Sequence, residues 1–260
     1  MGSKTSVLRL QVESSLAMRV ASPFQFRGRR IVETVPTGVP RIDLQVGGFP
    51  RGSLTEIYGP TCSGRTSLLV SALASRTAAS EVCALVDAHD AFDPHSAKAA
   101  GVKLERLLWV RCRNVDQALR VTDLLVQGGG FGLIALDLGD ALPHMVRCIP
   151  MQVWFRFRRA VEHTPTIFLV LERETTVKTC ASLILKLHAK KTRWSEAVKS
   201  TNEISRPHSL GCLLYGWKIR AEMIRSQAKR EDRSDAGFGT EIRRNIRCST
   251  ADERGGQRQR

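Results

Sequence analysis

The octapeptide Gly59-Pro60-Thr61-Cys62-Ser63-Gly64-Arg65-Thr66 decides how this chain is read. It fits the pattern G-x-x-x-x-G-K-[ST] at every defining position but one, where Arg65 stands in place of lysine. The apolar run Leu54-Thr-Glu-Ile-Tyr58 precedes it and predicts a strand, and a helix is predicted to open directly after it. That context matters, because the pattern works only between a strand and a helix. Its glycines let backbone N–H groups curl around phosphate oxygens, and the helix N-terminus adds a favourable dipole. Gly59 through Thr66, with Ser67 after them, are the candidate phosphate-binding residues, and the Thr66 hydroxyl is expected on Mg2+. Arginine keeps the charge of lysine but not its shape, since a planar, forked guanidinium is bulkier than an ammonium. Alignment of a terminal phosphate is expected to suffer.

Further short apolar runs predict strands at 82–86, 107–110, 133–136 and 166–171, as expected of strands buried on both faces of a parallel sheet. Between the second and third of these, Val115, Ala118, Leu119, Thr122 and Leu125 share one face of a helix predicted over 114–127. Asn114 is its N-cap, and Gly128-Gly129-Gly130 ends it. Strands alternating with helices indicate an α/β fold with a mostly parallel central sheet and helices on both faces. Partial period-two alternation at 183–190 and 213–224 predicts a terminal antiparallel pair joined by a polar stretch. Three regions follow: an N-terminal arm over 1–30, the α/β core over 31–225, and a basic, disordered tail over 226–260.

Composition narrows the function. The chain has 260 residues, enough for one well-buried domain with short appendages, and 42% of them are hydrophobic. No apolar run approaches the roughly 20 residues of a membrane-spanning helix. No secretory signal opens the chain. The seven cysteines are an odd number with no CxxC pair, which argues against a disulfide framework or zinc ribbon and for a reducing cytoplasm. No histidine cluster suits a metal, and no G-x-S-x-G elbow is present. A net charge of +15 points to a polyanion, of which nucleic acid is the commonest.

The residues around the loop resemble the bacterial RecA recombinase family and its shortened relatives. The lead-in Thr37-Gly38, Ile42-Asp43 and Gly47-Gly48-Phe49-Pro50-Arg51-Gly52 carries the resemblance into Glu56-Ile57-Tyr58-Gly59-Pro60. Val86-Asp87-Ala88-His89-Asp90-Ala91-Phe92-Asp93-Pro94 looks like the second core motif of that family, and Leu133 to Asp137 like its Walker B strand. The resemblance covers about residues 35 to 190 and implies a RecA-like P-loop core that binds ATP with Mg2+, with Thr66 and Asp137 near the metal and Asp93 near the base.

The departures from the family pattern imply a degenerate site. His89 occupies the position of the glutamate that activates the attacking water, and imidazole does not reproduce a carboxylate. Ser96 occupies that of an adenine-stacking tyrosine, and Glu172 that of a glutamine. Only Glu172 to Cys180 separate two strands where the family has a long DNA-binding loop. ATP hydrolysis is therefore expected to be weak or absent. This set of losses, with the ending Leu214-Tyr-Gly-Trp217-Lys-Ile-Arg220-Ala-Glu222, resembles the ImuA-type accessory proteins of bacterial mutasomes. The resemblance implies a DNA-repair accessory role beside a RecA filament and an error-prone DNA polymerase. The alternative it leaves open is a DNA-dependent ATPase of recombinase type, and self-association fits either. Arg147, Arg156 and Arg159, on and before a helix beginning near Pro150, are the candidate contacts to single-stranded DNA, with Trp154 and Phe157 in its core face. The tail arginines Arg243, Arg244, Arg247, Arg254, Arg258 and Arg260 offer a second, sequence-blind phosphate contact.

Overall fold

Buried strands that must hide both faces set the architecture. The structure, a computed structural model, describes residues 33–194, 214–226 and 235–241. The N-terminal arm over 1–30 and the six tail arginines lie outside the described residues. The core strands are β3 (Ser53–Tyr58), β4 (Cys83–Asp87), β5 (Leu107–Arg111), β6 (Leu133–Asp137), β7 (Ile167–Glu172) and β8 (Leu183–Trp194). Two further strands, β9 (Leu214–Ser226) and β10 (Asp235–Glu241), complete an eight-stranded sheet in the order β10-β9-β8-β3-β7-β6-β4-β5. The pairings from β8 to β5 are parallel, and β9 and β10 add on antiparallel. A two-stranded ribbon of β1 (Thr34–Val35) and β2 (Phe49–Pro50) leads into β3.

Side chains alternate along each core strand, as a pleated strand requires. Ile57, Leu85, Ala135 and Leu169 enter one apolar cluster. Leu54, Val86, Ile134 and Phe168 enter the other. Three helices cover the first face: α1 (Pro40–Val46), α2 (Arg65–Ala78) and α3 (Pro94–Ala99). Three cover the second: α4 (Val115–Gly128), α5 (Pro143–Arg147) and α6 (Met151–Val161). Asn114 caps α4, its side chain accepting from Gln117 N at 2.8 Å. Trp154 and Phe157 are fully buried on α6, and Phe157 meets Phe168 of β7 edge-on with centroids 5.6 Å apart. The core strands and α4 fall within a residue or two of the expected ones, except that β8 runs four residues further, to Trp194.

Two differences stand out. The second strand begins at Cys83 and takes in Asp87, because that register sets Asp87 beside Asp137 of β6; Val82 is left 43% exposed. The tail was expected to be disordered from 226. Instead, β9 runs to Ser226, and residues 235–241 pair with it in register, Gly237 opposite Arg220 and Gly239 opposite Lys218. Phe238, 7% exposed, is the reason: one aromatic side chain joins the first cluster and ties a polar segment to the sheet.

The loop after β7 is short and pinned from below. Glu56, fully buried on β3, accepts from Thr176 N at 2.7 Å, Val177 N at 3.2 Å and the Thr175 hydroxyl at 3.0 Å. Glu172 ends β7 beside it, 1% exposed, with Oε2 accepting from the Thr176 hydroxyl and Oε1 without a partner. Burial, with the nearby Glu56 carboxylate adding to it, pushes the Glu172 carboxyl up to about 8. Burial also raises Glu56, against the backbone and hydroxyl donors that pull it down.

A carboxyl raised by folding keeps its proton in the native state after the unfolded chain has released it, so stability falls as pH rises. For Glu172 the window runs from the ordinary 4.5 to about 8. Glu172→Gln, which removes the titration, is expected to flatten that slope and to gain on the order of 2 kcal/mol at pH 8. Urea unfolding at pH 5.5 and pH 8 measures it. Parallel pH slopes in the two proteins would show that Glu172 is not the group responsible.

Candidate functional site

The parallel strands all release their chains at one edge of the sheet, and the registers align what leaves there. Tyr58 lies opposite Glu172, Asp137 opposite Leu171, and Asp87 opposite Asp137. The octapeptide rises from Tyr58 at this edge and turns into α2. The turn needs two left-handed residues, Cys62 at φ 59° and Gly64 at φ 92°. At Gly64 space decides as well: a Cβ would come within 2.1 Å of Ile219 Cδ1 on β9. Gly64 occupies the N-cap position of α2, and no side chain caps the helix. The first-turn N–H groups of a 14-residue helix therefore face the loop without an intrahelical partner. Ser63 adds a hydroxyl that is buried and unpartnered. A bare helix start with an orphaned buried hydroxyl is what an anion would satisfy, so these residues fit a phosphate group.

A cavity of about 180 Å³ lies over this turn, with Cys62 to Ser67 on one side and Trp217 and Ile219 of β9 on the other. Thr66, expected to carry a metal, is exposed, as are Pro60 and Thr61.

Arg65 behaves unlike a lysine. It is only 8% exposed, and both terminal nitrogens donate to the Gly139 carbonyl at 3.3 Å. Burial lowers its pKa, while Asp137 and Asp140 act to raise it. Asp137 Oδ1 accepts from Gly139 N at 2.8 Å, and burial pushes its carboxyl up to about 6. Gly139 is where the two meet: a Cβ there would lie 2.8 Å from Arg65 Nη1 and 2.9 Å from Asp137 Oδ1. A second arginine reaches the same carbonyl, Arg173 Nε donating at 2.8 Å from the loop after β7. Sequence reasoning missed both Gly139 and Arg173, since nothing in their spacing marks two arginines that share one acceptor. Glu56 was missed too, although a carboxylate in the middle of a buried strand run is a readable signal.

The second motif is held by Asp87. Its carboxylate accepts from His89 N at 3.1 Å and Phe92 N at 2.9 Å, which fixes the turn leaving β4. His89 itself is exposed. Asp93, expected to contact a base, has both oxygens on the cap of α3, accepting from His95 N, Ser96 N and the Ser96 hydroxyl. The hydrogen bond from Ser96 is the main reason its carboxyl is held below the usual range.

The three candidate DNA-contacting arginines face different neighbours. Arg147 pairs with Glu174 at 2.7 Å and Arg156 with Asp123 at 2.9 Å. Arg159 is exposed one turn further along α6, and no ion pair engages it among the described residues. Among those residues no cluster of His, Cys, Asp and Glu could hold a metal by itself, and no helix is long and apolar enough to cross a membrane.

Comparison with known proteins agrees with this geometry. Residues 18–146 match the RecA N-terminal domain family, a span that takes in the octapeptide, Asp87 and Asp137. The chain is 38% identical to Protein RecA of Streptomyces coelicolor over 134 residues, which is 51% of this chain and 36% of that protein. It is 43% identical to Protein RecA of Brucella anthropi over 113 residues, 43% of this chain and 31% of that protein. With Protein RecA of Mesorhizobium japonicum the identity is 34% over 158 residues, 55% of this chain and 43% of that protein. The chain thus spans less than half the length of these curated relatives. The matched segment takes in the loop and both strand-end aspartates, and over residues 18–146 the chain is RecA-like.

Proposed function

We propose that this protein is a DNA-repair and damage-response accessory factor with a degenerate ATP site, assisting translesion synthesis as the ImuA-type mutasome proteins do. The observation that carries this reading is the combination of an intact loop frame with Arg65 drawn onto the Gly139 carbonyl. The bare amides of α2 and the Ser63 hydroxyl bind the phosphates. Thr66 and Asp137 would hold Mg2+, Asp137 through the carboxyl that burial raises to about 6. ATP with Mg2+, when bound, supplies the phosphoryl chemistry. Arg65 must leave Gly139 to meet a terminal phosphate, which costs it two hydrogen bonds. His89 is exposed and supplies no carboxylate to orient water, so hydrolysis is weak or absent. Arg173 and Arg65 share one acceptor, which couples the loop after β7 to nucleotide binding. Single-stranded DNA meets Arg159 first, with Arg147 and Arg156 joining as their carboxylate partners yield. The RecA filament and an error-prone polymerase are the protein partners of this reading, and self-association is compatible with it. The retained Thr66 and Asp137 favour a second reading, a DNA-dependent ATPase of RecA type.

Two measurements test these statements. Binding of a fluorescent ATP is expected to weaken about tenfold in Arg65→Ala, with phosphate release near background whether or not single-stranded DNA is present. Strong DNA-stimulated release that Arg65→Ala abolishes would install the second reading in place of the first. Binding of the full chain to single-stranded DNA is expected to fall steeply with salt, and Arg159→Ala is expected to reduce the log–log slope by about 1. An unchanged slope removes Arg159 from the interface.

A further inference from the structure

We propose that Trp217 is the base-stacking wall of the loop cavity, so that the site selects a purine nucleoside triphosphate over a bare polyphosphate. This rests on the reading of the loop as a phosphate site and deepens it.

Register places the residue. Tyr58, the last residue of β3, lies beside Lys186 of β8, and β8 then continues to Trp194. Trp217 of β9 pairs with Thr192, six residues beyond Lys186, and Ile219 pairs with Ala189. The two strands therefore run past the sheet edge at which the loop rises, and they stand beside the loop as a wall. Trp217, Ile219, Ala221 and Met223 alternate onto the face that α2 also covers. Ile219 is pressed against Gly64 and closes the inner end of the cavity. Trp217 follows on the same side; it is half-buried, packed in part on the core and open in part to the cavity.

No other aromatic residue lines this space among the described residues. Phe92 and Trp109 pack on each other, and Trp154, Phe157 and Phe168 are buried together on the opposite face. An indole bordering a cavity whose far wall is a row of amide donors gives a flat apolar surface at one end and an anion site at the other. A purine nucleotide carries the matching pair of groups, and a stacked base rewards an aromatic partner regardless of its hydrogen-bonding edges.

The test measures binding of a ribose-labelled fluorescent ATP to the full chain and its displacement by unlabelled ATP and by inorganic tripolyphosphate. Trp217→Ala is expected to weaken ATP about tenfold and to leave tripolyphosphate affinity unchanged. Trp217→Phe, which keeps an aromatic ring and guards against a folding defect, is expected to retain most of the ATP affinity. The same substitution removes the largest part of the energy transfer from tryptophan to the label. If tripolyphosphate and ATP bind alike, and Trp217→Ala matches the parent, the stacking role falls while the phosphate site stands. If the parent chain binds neither probe, the phosphate reading falls and the stacking role falls with it.

Discussion

The carbonyl of Gly139 accepts from Arg65 at 3.3 Å and from Arg173 at 2.8 Å, and it joins three pieces of chain that are far apart in sequence. One is the start of α2, another the end of β6, and the third the loop after β7. A guanidinium needs acceptors wherever it is buried, and a carbonyl at a strand end has lone pairs to offer. Asp137 and Asp140 lie close enough to keep the pair of cations tolerable. A lysine would not reach the carbonyl with two donors in this forked way. The substitution that looks conservative on paper therefore redirects the charge from the mouth of the loop to its base.

That redirection is possible because the sheet is covered on both faces. Leu54 to Ile57, Cys83 to Val86, Leu133 to Leu136 and Ile167 to Leu171 are all buried, so the chain can turn to polar business only at the strand ends. The parallel registers then bring Tyr58, Glu172, Asp137 and Asp87 into one row. A site at this edge follows from how α/β sheets leave polar groups free where strands stop.

The antiparallel addition at the far side changes what the site can do. β8 and β9 outrun the edge and set Ile219 and Trp217 against the loop. The loop after β7 meanwhile is tied to Glu56 through two backbone amides and a hydroxyl. Glu56 would lack these donors without the turn at Thr175 to Val177. Burial raises both carboxyls of this corner, Glu56 and Glu172, above their ordinary range.

Local signals carried much of this molecule. Apolar runs, the Asn114 cap and the glycine spacing of the loop depend on neighbours in the chain, and periodicity reads such neighbours directly. The α/β architecture, the helix after the loop, the core face of α6 and the terminal antiparallel pair were all legible in this way. The fate of charged and aromatic side chains was not. Arg147, Arg156 and Asp93 read as candidate ligand contacts, and each meets a carboxylate or an amide in the folded chain. Arg65, Arg173 and Gly139 converge across 108 positions of sequence at most, and Trp217 reaches the loop through strand register alone. Phe238 drew a stretch of apparent tail into the sheet. The sequence by itself determined which segments become strands and helices and where a phosphate-type turn forms, because those depend on spacing along the backbone. Only the tertiary structure decided which long side chains remain free, because a flexible cation or ring takes its partner from whatever the packing brings within reach.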